Sequence, residues 1–188
     1  MSLLEIVAVL VTIVAVWLTA RQVIWCWPLA LVSVTLYAVV FYQAKLYADM
    51  GLQAVYFVLA LYGWWAWLHG GEDRGELRVT VARWRFRIGL VLLGAVSGCL
   101  LGLVLHRFTD ASLPFMDSTL SSFSIVAQWL QTRKILEAWL LWIALDVVYV
   151  GMFVYKGLFL TAGLYAVFLW LAAVGFVSWR RSMTVTAR

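Results

Sequence analysis

An acidic residue within an apolar segment is the strongest indication of chemistry in this sequence. Asp146 lies near the middle of the apolar run 138–155. A carboxylate at mid-depth in a bilayer costs roughly 2.5–3.5 kcal/mol on insertion scales, so a residue of this kind is a functional candidate. The alternative is a structural hydrogen bond to Ser33, Tyr37 or Tyr149. We favour a ligand contact because of the cost of placing an acid there.

Amide, hydroxyl and aromatic side chains complete the candidate site. Ser121, Ser124 and Gln128 share one face of a short polar segment. Amides in membrane helices either bind a ligand or bond to a neighbouring helix, with typical gains of about 0.6 kcal/mol. A carboxylate and aromatic ring faces together favour a flat, positively charged ligand, although tryptophans also anchor helices at the membrane interface. The predicted substrate site comprises Asp146, Gln53, Gln128, Trp129, Ser124, Trp142, Tyr149, Trp64 and Tyr37.

Motifs of enzymes and of ATP-driven pumps are missing from the sequence. It contains no GxxxxGK[ST] run for nucleotide phosphates, no HExxH and no GxSxG. His69 and His106 lie far apart, and Asp110 and Asp117 flank a short loop as a solvated cap. The sequence therefore predicts no enzyme, cofactor or metal site.

The composition is that of a membrane protein. Of the 188 residues, 65% are hydrophobic and 12% are charged, whereas soluble domains have roughly 45–50% apolar and about 25% charged residues. Helices of roughly 17–25 apolar residues span a bilayer. We predict an all-α membrane protein with seven spans, near 3–20, 27–43, 50–68, 88–105, 118–131, 138–155 and 158–179. The first run lacks a basic start and a cleavage pattern, so it is expected to be retained.

Positive charge is distributed unevenly over the predicted loops. With the N-terminus outside, eleven Lys and Arg residues fall on inner loops and three (Lys45, Arg107 and Lys156) on outer loops. Cytoplasmic loops carry the excess of Lys and Arg, so the sequence predicts N-out and C-in. The basic stretch 70–87 is expected to meet anionic lipid headgroups rather than nucleic acid.

The sequence contains an internal repeat. The segment 17–67 aligns without gaps with the segment 129–179 and is identical at 16 of 51 positions, including three pairs of Trp. Each copy holds three helices and one helix lies between them, so the copies are parallel, with an axis along the membrane normal as in SWEET transporters. The predicted organisation is one membrane domain, 1–188. It comprises a first repeat 1–69, a cytoplasmic linker 70–87, a linker helix 88–106 and a second repeat 117–180.

Three glycines recur at every fourth residue of the predicted linker helix. They are Gly94, Gly98 and Gly102. Small residues at this spacing let another helix approach closely. The pattern indicates either packing within the chain or a homo-oligomer, such as a trimer, formed through helix four or other lipid-facing surfaces.

The sequence resembles the PnuC family of vitamin transporters, typified by the nicotinamide riboside transporter. The resemblance lies in the pair Trp27-Pro28 and in the stretches 46–67, 117–143 and 145–179, with the runs YGWWAW and RKILEAWLLW as specific motifs. It implies a SWEET-like fold of 3+1+3 helices. It also implies facilitated diffusion of a vitamin across the bacterial inner membrane, followed by trapping through a cytosolic kinase.

Departures from the family pattern bear on the substrate. Where riboside transporters carry Asn, this sequence has Ala138, Leu61, Ser33 and Asp146. A site built to hydrogen-bond an amide loses much when its partners vanish. The family also includes members for thiamine, riboflavin and deoxynucleosides. We therefore expect a cationic vitamin, with thiamine ahead of nicotinamide riboside.

Two alternative functions belong to other classes. A non-transporting membrane sensor or assembly protein would satisfy its mid-depth polar residues internally and would have no open cavity. An intramembrane enzyme would need a second titratable group near Asp146, and the sequence places no His, Lys or Glu within a helix there.

Overall fold

A computed structural model of the chain describes residues 3–43, 47–108, 114–155 and 157–186. Its seven α-helices are α1 (Leu3–Ala20), α2 (Cys26–Gln43), α3 (Tyr47–His69), α4 (Trp84–Phe108), α5 (Pro114–Thr132), α6 (Glu137–Tyr155) and α7 (Phe159–Thr186). Within the described ranges, one short 3₁₀ turn and one isolated β-bridge complete the regular structure. The all-α prediction is confirmed, and each predicted span falls on a helix. Lys45, Asp110 and Lys156 lie outside the described residues.

Six helices are long and apolar enough to cross a membrane, and α5 is the exception. Its polar side chains are buried against the neighbouring helices, namely Ser118, Ser122, Ser124, Gln131 and Thr132. Helix α5 packs against α3, α4 and α6. The low hydropathy of α5 therefore comes from polar side chains that are buried inside the bundle.

The glycines of α4 face α5. A Cβ atom built on Gly94 would lie 2.6 Å from Cε1 of Phe123, and one on Gly98 would lie 2.9 Å from Cα of Thr119. Such distances leave no room for a side chain, so the glycines allow α4 and α5 to pack closely. Of the two interpretations of this pattern, the structure shows packing between helices of the same chain.

The two halves of the chain have matching turns. Helices α1 and α5 end at Ala20 and Thr132, which are equivalent positions of the internal repeat, and α2 and α6 end at the equivalent positions Gln43 and Tyr155. The left-handed residues that follow α1 and α5 also correspond, since Gln22 has a φ of 57° and Lys134 a φ of 49°. Packing between the halves is crosswise, with α1 against α7 and α3 against α5.

A cluster of four tryptophans joins the halves at one end of the bundle. The ring centres of Trp27 and Trp67 are 5.3 Å apart at 90°, and those of Trp139 and Trp179 are 5.4 Å apart at 88°. The rings of Trp67 and Trp179 connect the two pairs at 5.8 Å. Edge-to-face contacts of this kind stabilise aromatic pairs by about 0.5–1.5 kcal/mol beyond their buried area.

Hydrogen bonds from this tryptophan cluster cross between the halves in a reciprocal way. Nε1 of Trp67 donates to the carbonyl oxygen of Gln131 at 3.1 Å, and Nε1 of Trp179 donates to the carbonyl oxygen of Thr19 at 3.0 Å. The two donors are equivalent positions of the internal repeat, and so are the two acceptors. Each half therefore fixes a helix end of the other.

The linker between the halves crosses the same end of the bundle. The backbone N–H of Thr80 donates to the carbonyl oxygen of Lys134, and Leu136 N–H donates back to Thr80. Nearby, Arg87 forms an ion pair with Glu137 at 2.6 Å. These bonds attach the linker to the turn between α5 and α6.

Glycines 63 and 175 make room for two of the tryptophan rings, and we expect Gly175→Ala to destabilise the fold. A Cβ atom on Gly175 would lie 2.6 Å from Cε2 of Trp139, so the ring must shift. Overpacking of this kind typically costs about 1–3 kcal/mol. The unfolding temperature in detergent should fall measurably. The control is Gly163→Ala on the same helix, where nothing lies within 4 Å of the added atom. Equal unfolding temperatures for the two variants would contradict the packing argument.

Candidate substrate-binding site

A cavity of about 420 Å³ lies between the two halves of the bundle. Side chains from α1, α2 and α3 and from α5, α6 and α7 line it, and α4 contributes none. Its volume falls within the range of roughly 300–1,000 Å³ that is typical of sites for small molecules. Its polar lining includes Asp49, Gln53, Ser124, Gln128, Gln131 and Asp146.

Seven of the nine predicted site residues line this cavity: Asp146, Gln53, Gln128, Ser124, Trp142, Tyr149 and Tyr37. Trp129 lies outside it and packs on Phe86, with ring centres 5.8 Å apart. Adjacent residues of a helix point about 100° apart, which separates Trp129 from Gln128. Trp64 is 36% exposed and also lies outside the cavity. We therefore leave Trp129 and Trp64 out of the proposed site.

The carboxylate of Asp146 faces the cavity and has no protein partner among the described residues. The side chain is 5% exposed, and no residue in the described ranges gives it a hydrogen bond or an ion pair. Of the structural bonds considered above, to Ser33, Tyr37 or Tyr149, none is formed among the described residues, and Ser33 bonds to Thr12 at 2.5 Å. A buried charge without compensation is costly. A ligand with positive charge would provide that compensation.

Aromatic rings stand beside this carboxylate. The rings of Tyr149 and Tyr165 are 4.6 Å apart, and both residues line the cavity together with Asp146. The Tyr165 ring also meets the ring of Phe168 edge-on at 6.0 Å. A cation that touches both the carboxylate and the ring faces is attracted by each.

Amides and hydroxyls line the side of the cavity formed by α3 and α5. Gln53 and Gln128 make no hydrogen bond within the part of the chain that the structure describes. The hydroxyls of Tyr56 and Ser124 bond to each other, and Ser124 Oγ also donates to the carbonyl oxygen of Ser121 at 2.7 Å. Both amides are therefore available to a ligand.

Charge changes sign along the bundle. Asp49, in the first turn of α3, is exposed and lines the cavity, whereas Lys134 lies near the tryptophan cluster at the opposite end of α3. The Lys134 ammonium nitrogen is 4.4 Å from the centre of the Trp67 ring. Burial lowers the pKa of Lys134, and the charge of Glu76 acts in the opposite direction. A cation is thus favoured at the Asp49 end of the cavity.

Several cavity residues were not predicted from the sequence, among them Tyr56, Tyr165, Gln131 and Asp49. The repeat carried a signal for one of them, because Tyr165 is the repeat equivalent of the predicted Gln53. Tyr56 follows Gln53 by three residues, which is close to one helical turn. Gln131 has the same signal, because it follows the predicted Gln128 by three residues, but its contact with Trp142 of another helix could not be predicted from that spacing.

Comparisons with known proteins agree with this architecture. A profile of the family described as Nicotinamide mononucleotide transporter matches residues 2–181. The nicotinamide riboside transporter PnuC of Escherichia coli (strain K12) is 26% identical over 210 residues, covering 97% of this chain and 87% of that protein. The riboflavin/roseoflavin transporter RibM of Streptomyces davaonensis is 28% identical over 162 residues, covering 85% of this chain and 76% of that protein.

A solved structure has the same fold. The crystal structure of the vitamin B3 transporter PnuC matches with a TM-score of 0.76 and 26% sequence identity, over 96% of this chain and 82% of that one. The resemblance to the PnuC family inferred from the motifs is confirmed. These relatives are transporters and not enzymes, as the missing enzyme motifs predicted. The chain therefore belongs to the family described as Nicotinamide mononucleotide transporter.

Proposed function

We propose that this chain carries a flat, cationic vitamin of the thiamine or nicotinamide riboside class across the bacterial inner membrane. The observation that supports this most directly is the carboxylate of Asp146, which no described residue pairs with, in a cavity that tyrosine rings also line. The substrates named for the relatives are vitamins, namely nicotinamide riboside and riboflavin. The proposed site comprises Asp146, Gln53, Gln128, Ser124, Trp142, Tyr149 and Tyr37.

The ranking of thiamine above nicotinamide riboside loses part of its basis. It rested on Leu61 and Ala138, and neither residue lines the cavity. Leu61 is 47% exposed and Ala138 is fully buried elsewhere in the core. Both vitamins have a positively charged ring, so the proposal is for the class to which they belong.

The proposed mechanism is facilitated diffusion, with trapping of the substrate by a cytosolic kinase. The sequence has no nucleotide-binding motif that would supply energy. Asp146 is the one acid at mid-depth of the helices, so a chain of titratable groups for proton transfer is missing. A vitamin phosphorylated in the cytosol would no longer match the site, and uptake would continue downhill.

In the proposed topology seven helices span the membrane, with N-out and C-in and with parallel repeats at 1–69 and 117–180. The crosswise packing and the reciprocal tryptophan bonds support a two-fold relation between the repeats. Helix α5 would span inside a shell of α3, α4 and α6, where its polar face meets the cavity. A homo-oligomer such as a trimer would use other lipid-facing surfaces than the glycine face of α4.

The tryptophan cluster is the proposed gate at the cytoplasmic end. Nε1 of Trp27 and Nε1 of Trp139 are buried without a hydrogen-bond partner in the described part of the chain. Each such donor costs about 1–3 kcal/mol. Separation of the halves at this end would give both donors access to water, which offsets part of the cost of opening.

The reporter activity of fusion proteins checks the proposed topology. Fusions within 70–87 and after the C-terminus should both report a cytoplasmic location, because these segments hold eight of the fourteen Lys and Arg residues (Arg74, Arg78, Arg83, Arg85, Arg87, Arg180, Arg181 and Arg188). A fusion after residue 43 is the control and should report an extracytoplasmic location. A periplasmic C-terminus would contradict both the orientation and the parallel repeats.

Calorimetric titration of the detergent-purified protein tests the substrate class. Thiamine and nicotinamide riboside are the cationic ligands, and riboflavin is the neutral comparison. At least one cationic vitamin should bind, and more tightly than riboflavin, because only a cation compensates Asp146. Tighter binding of riboflavin than of both cations would contradict the proposal. The alternative sensor function predicts no open cavity, and the cavity favours transport.

A further inference from the structure

The side-chain amide of Gln131 is held in one orientation. Gln131 lies on α5, is 6% exposed and lines the cavity. Nε1 of Trp142 lies 2.8 Å from its Oε1 atom. An indole N–H only donates, so the atom that receives it must be the amide oxygen and not the amide nitrogen. The hydrogen bond therefore fixes which end of the amide faces Trp142.

The amide nitrogen of Gln131 is left for another partner. Its Nε2 atom makes no hydrogen bond with any residue in the described ranges, and it is not one of the buried nitrogens without a partner there. The nitrogen is therefore open to the cavity that Gln131 lines. The main chain of Gln131 is also anchored, because its carbonyl oxygen accepts the N–H of Trp67 at 3.1 Å. The two amide hydrogens are thus fixed donors.

We propose that Gln131 is a specificity-determining residue that requires a hydrogen-bond acceptor on the substrate, and that Trp142 is its positioning residue. This inference rests on the proposed function and names the chemical group on the substrate that the same site recognises. Trp142 holds the amide oxygen, so the two N–H groups of the amide are presented to the cavity, and a substrate without an acceptor at this place leaves them unpaired. Buried unpaired donors are costly, so discrimination is expected.

The position of the acceptor relative to the positive charge follows from α6. Trp142 and Asp146 are four residues apart, so they are neighbours on one helix face, with Cβ atoms about 5–6 Å apart. The Gln131 amide, which is bonded to Trp142, and the carboxylate of Asp146 therefore act on adjacent parts of one ligand. A cationic ring with a nearby acceptor fits both, as in the ring nitrogens of an aminopyrimidine or the oxygen of a carboxamide.

The test compares ligands that have the acceptor with ligands that lack it. The pairs are nicotinamide riboside with the pyridinium riboside that lacks the carboxamide, and thiamine with the analogue whose aminopyrimidine is replaced by an aminophenyl ring. Calorimetry on the full-length protein in detergent gives the dissociation constant of each. The parent protein should bind the acceptor-bearing member of a pair about ten- to a hundredfold more tightly, because its loss leaves buried donors unpaired.

Variants assign this preference to the two residues. Gln131→Met removes the amide and should bring the two members of a pair to nearly equal affinity. Trp142→Phe keeps a ring but frees the amide of Gln131 to turn. The ratio of the dissociation constants within a ligand pair should therefore fall several-fold. Trp170→Phe changes a tryptophan that is 63% exposed and should leave the preference as in the parent. Gln131→Glu, which still accepts from Trp142 but has no donors, is the second variant if Gln131→Met does not fold.

The outcomes separate this inference from the proposed function. If the parent protein binds cationic vitamins and Gln131→Met or Gln131→Glu keeps the same acceptor preference, the role of Gln131 is wrong and the proposed function stands. An unchanged preference in Trp142→Phe overturns the positioning role of Trp142. A parent protein that binds no cationic vitamin overturns the proposed function and this inference with it.

Discussion

Asp146→Asn is expected to weaken the binding of a cationic vitamin by about ten- to a hundredfold. The substitution keeps the shape of the side chain and removes its charge. Hydrogen bonds to a charged group contribute about 1.5–3 kcal/mol, which corresponds to this range of affinity. Because no described residue pairs with the carboxylate, the effect should arise from the ligand rather than from a broken contact within the protein. Calorimetry with thiamine and nicotinamide riboside measures it.

A matched control uses a carboxylate outside the cavity. Asp117→Asn makes the same change in the first turn of α5, and Asp117 does not line the cavity. Its effect on affinity should be smaller than that of Asp146→Asn, since a partly exposed charge outside the cavity is screened by water and salt. Neutral ligands such as deoxynucleosides should be little affected by Asp146→Asn. If Asp146→Asn binds its vitamin as tightly as the parent protein, the carboxylate is structural and the site assignment is wrong.

Ala30→Trp is expected to reduce transport by about tenfold or more. Ala30 lines the cavity from the first half, at the position that the repeat aligns with Trp142 of the second half. A bicyclic ring at this place would occupy space that the substrate needs. Because the ring enters an existing cavity, it should avoid much of the strain of about 1–3 kcal/mol that overpacking causes in a filled core. Uptake by cells or vesicles measures the loss of transport, and thermal unfolding measures any loss of stability.

The control for this variant is Ala95→Trp on α4. Ala95 is exposed on the outer surface of the bundle and lies outside the cavity. The added ring is the same, but it should leave transport near the parent rate. Normal transport by Ala30→Trp, with normal folding, would show that the substrate does not pass through this cavity.

The sequence predicted the helices and much of the cavity lining because both rest on local patterns. Apolar runs of membrane-spanning length predicted the helices, and helical spacing placed Ser124 and Gln128 on one face of α5. The cost of a buried charge singled out Asp146 without any knowledge of its neighbours. The repeat predicted the correspondence of Trp27 with Trp139, which the structure shows as matching ring contacts.

Other features depend on tertiary contacts that no local pattern carries. Trp129 and Trp64 have the same residue type as Trp142, and only the rotation of each helix decides which ring meets the cavity. The amide of Gln131 becomes oriented only when the indole of Trp142 approaches from α6. Asp49 lines the cavity because the first turn of α3 lies beside the cavity. This depends on where the helix is placed and not on composition.

Transport in proteoliposomes tests the central claim, that this cavity carries a cationic vitamin downhill in both directions. Vesicles that contain the purified protein are loaded with labelled thiamine or nicotinamide riboside and diluted into buffer with or without unlabelled substrate, in the absence of any ion gradient. We predict release of the label without a gradient, entry of external label into preloaded vesicles at a comparable rate, and strong reduction of both by Asp146→Asn. Transport that occurs only with an imposed proton gradient, or transport unchanged by Asp146→Asn, would contradict this account.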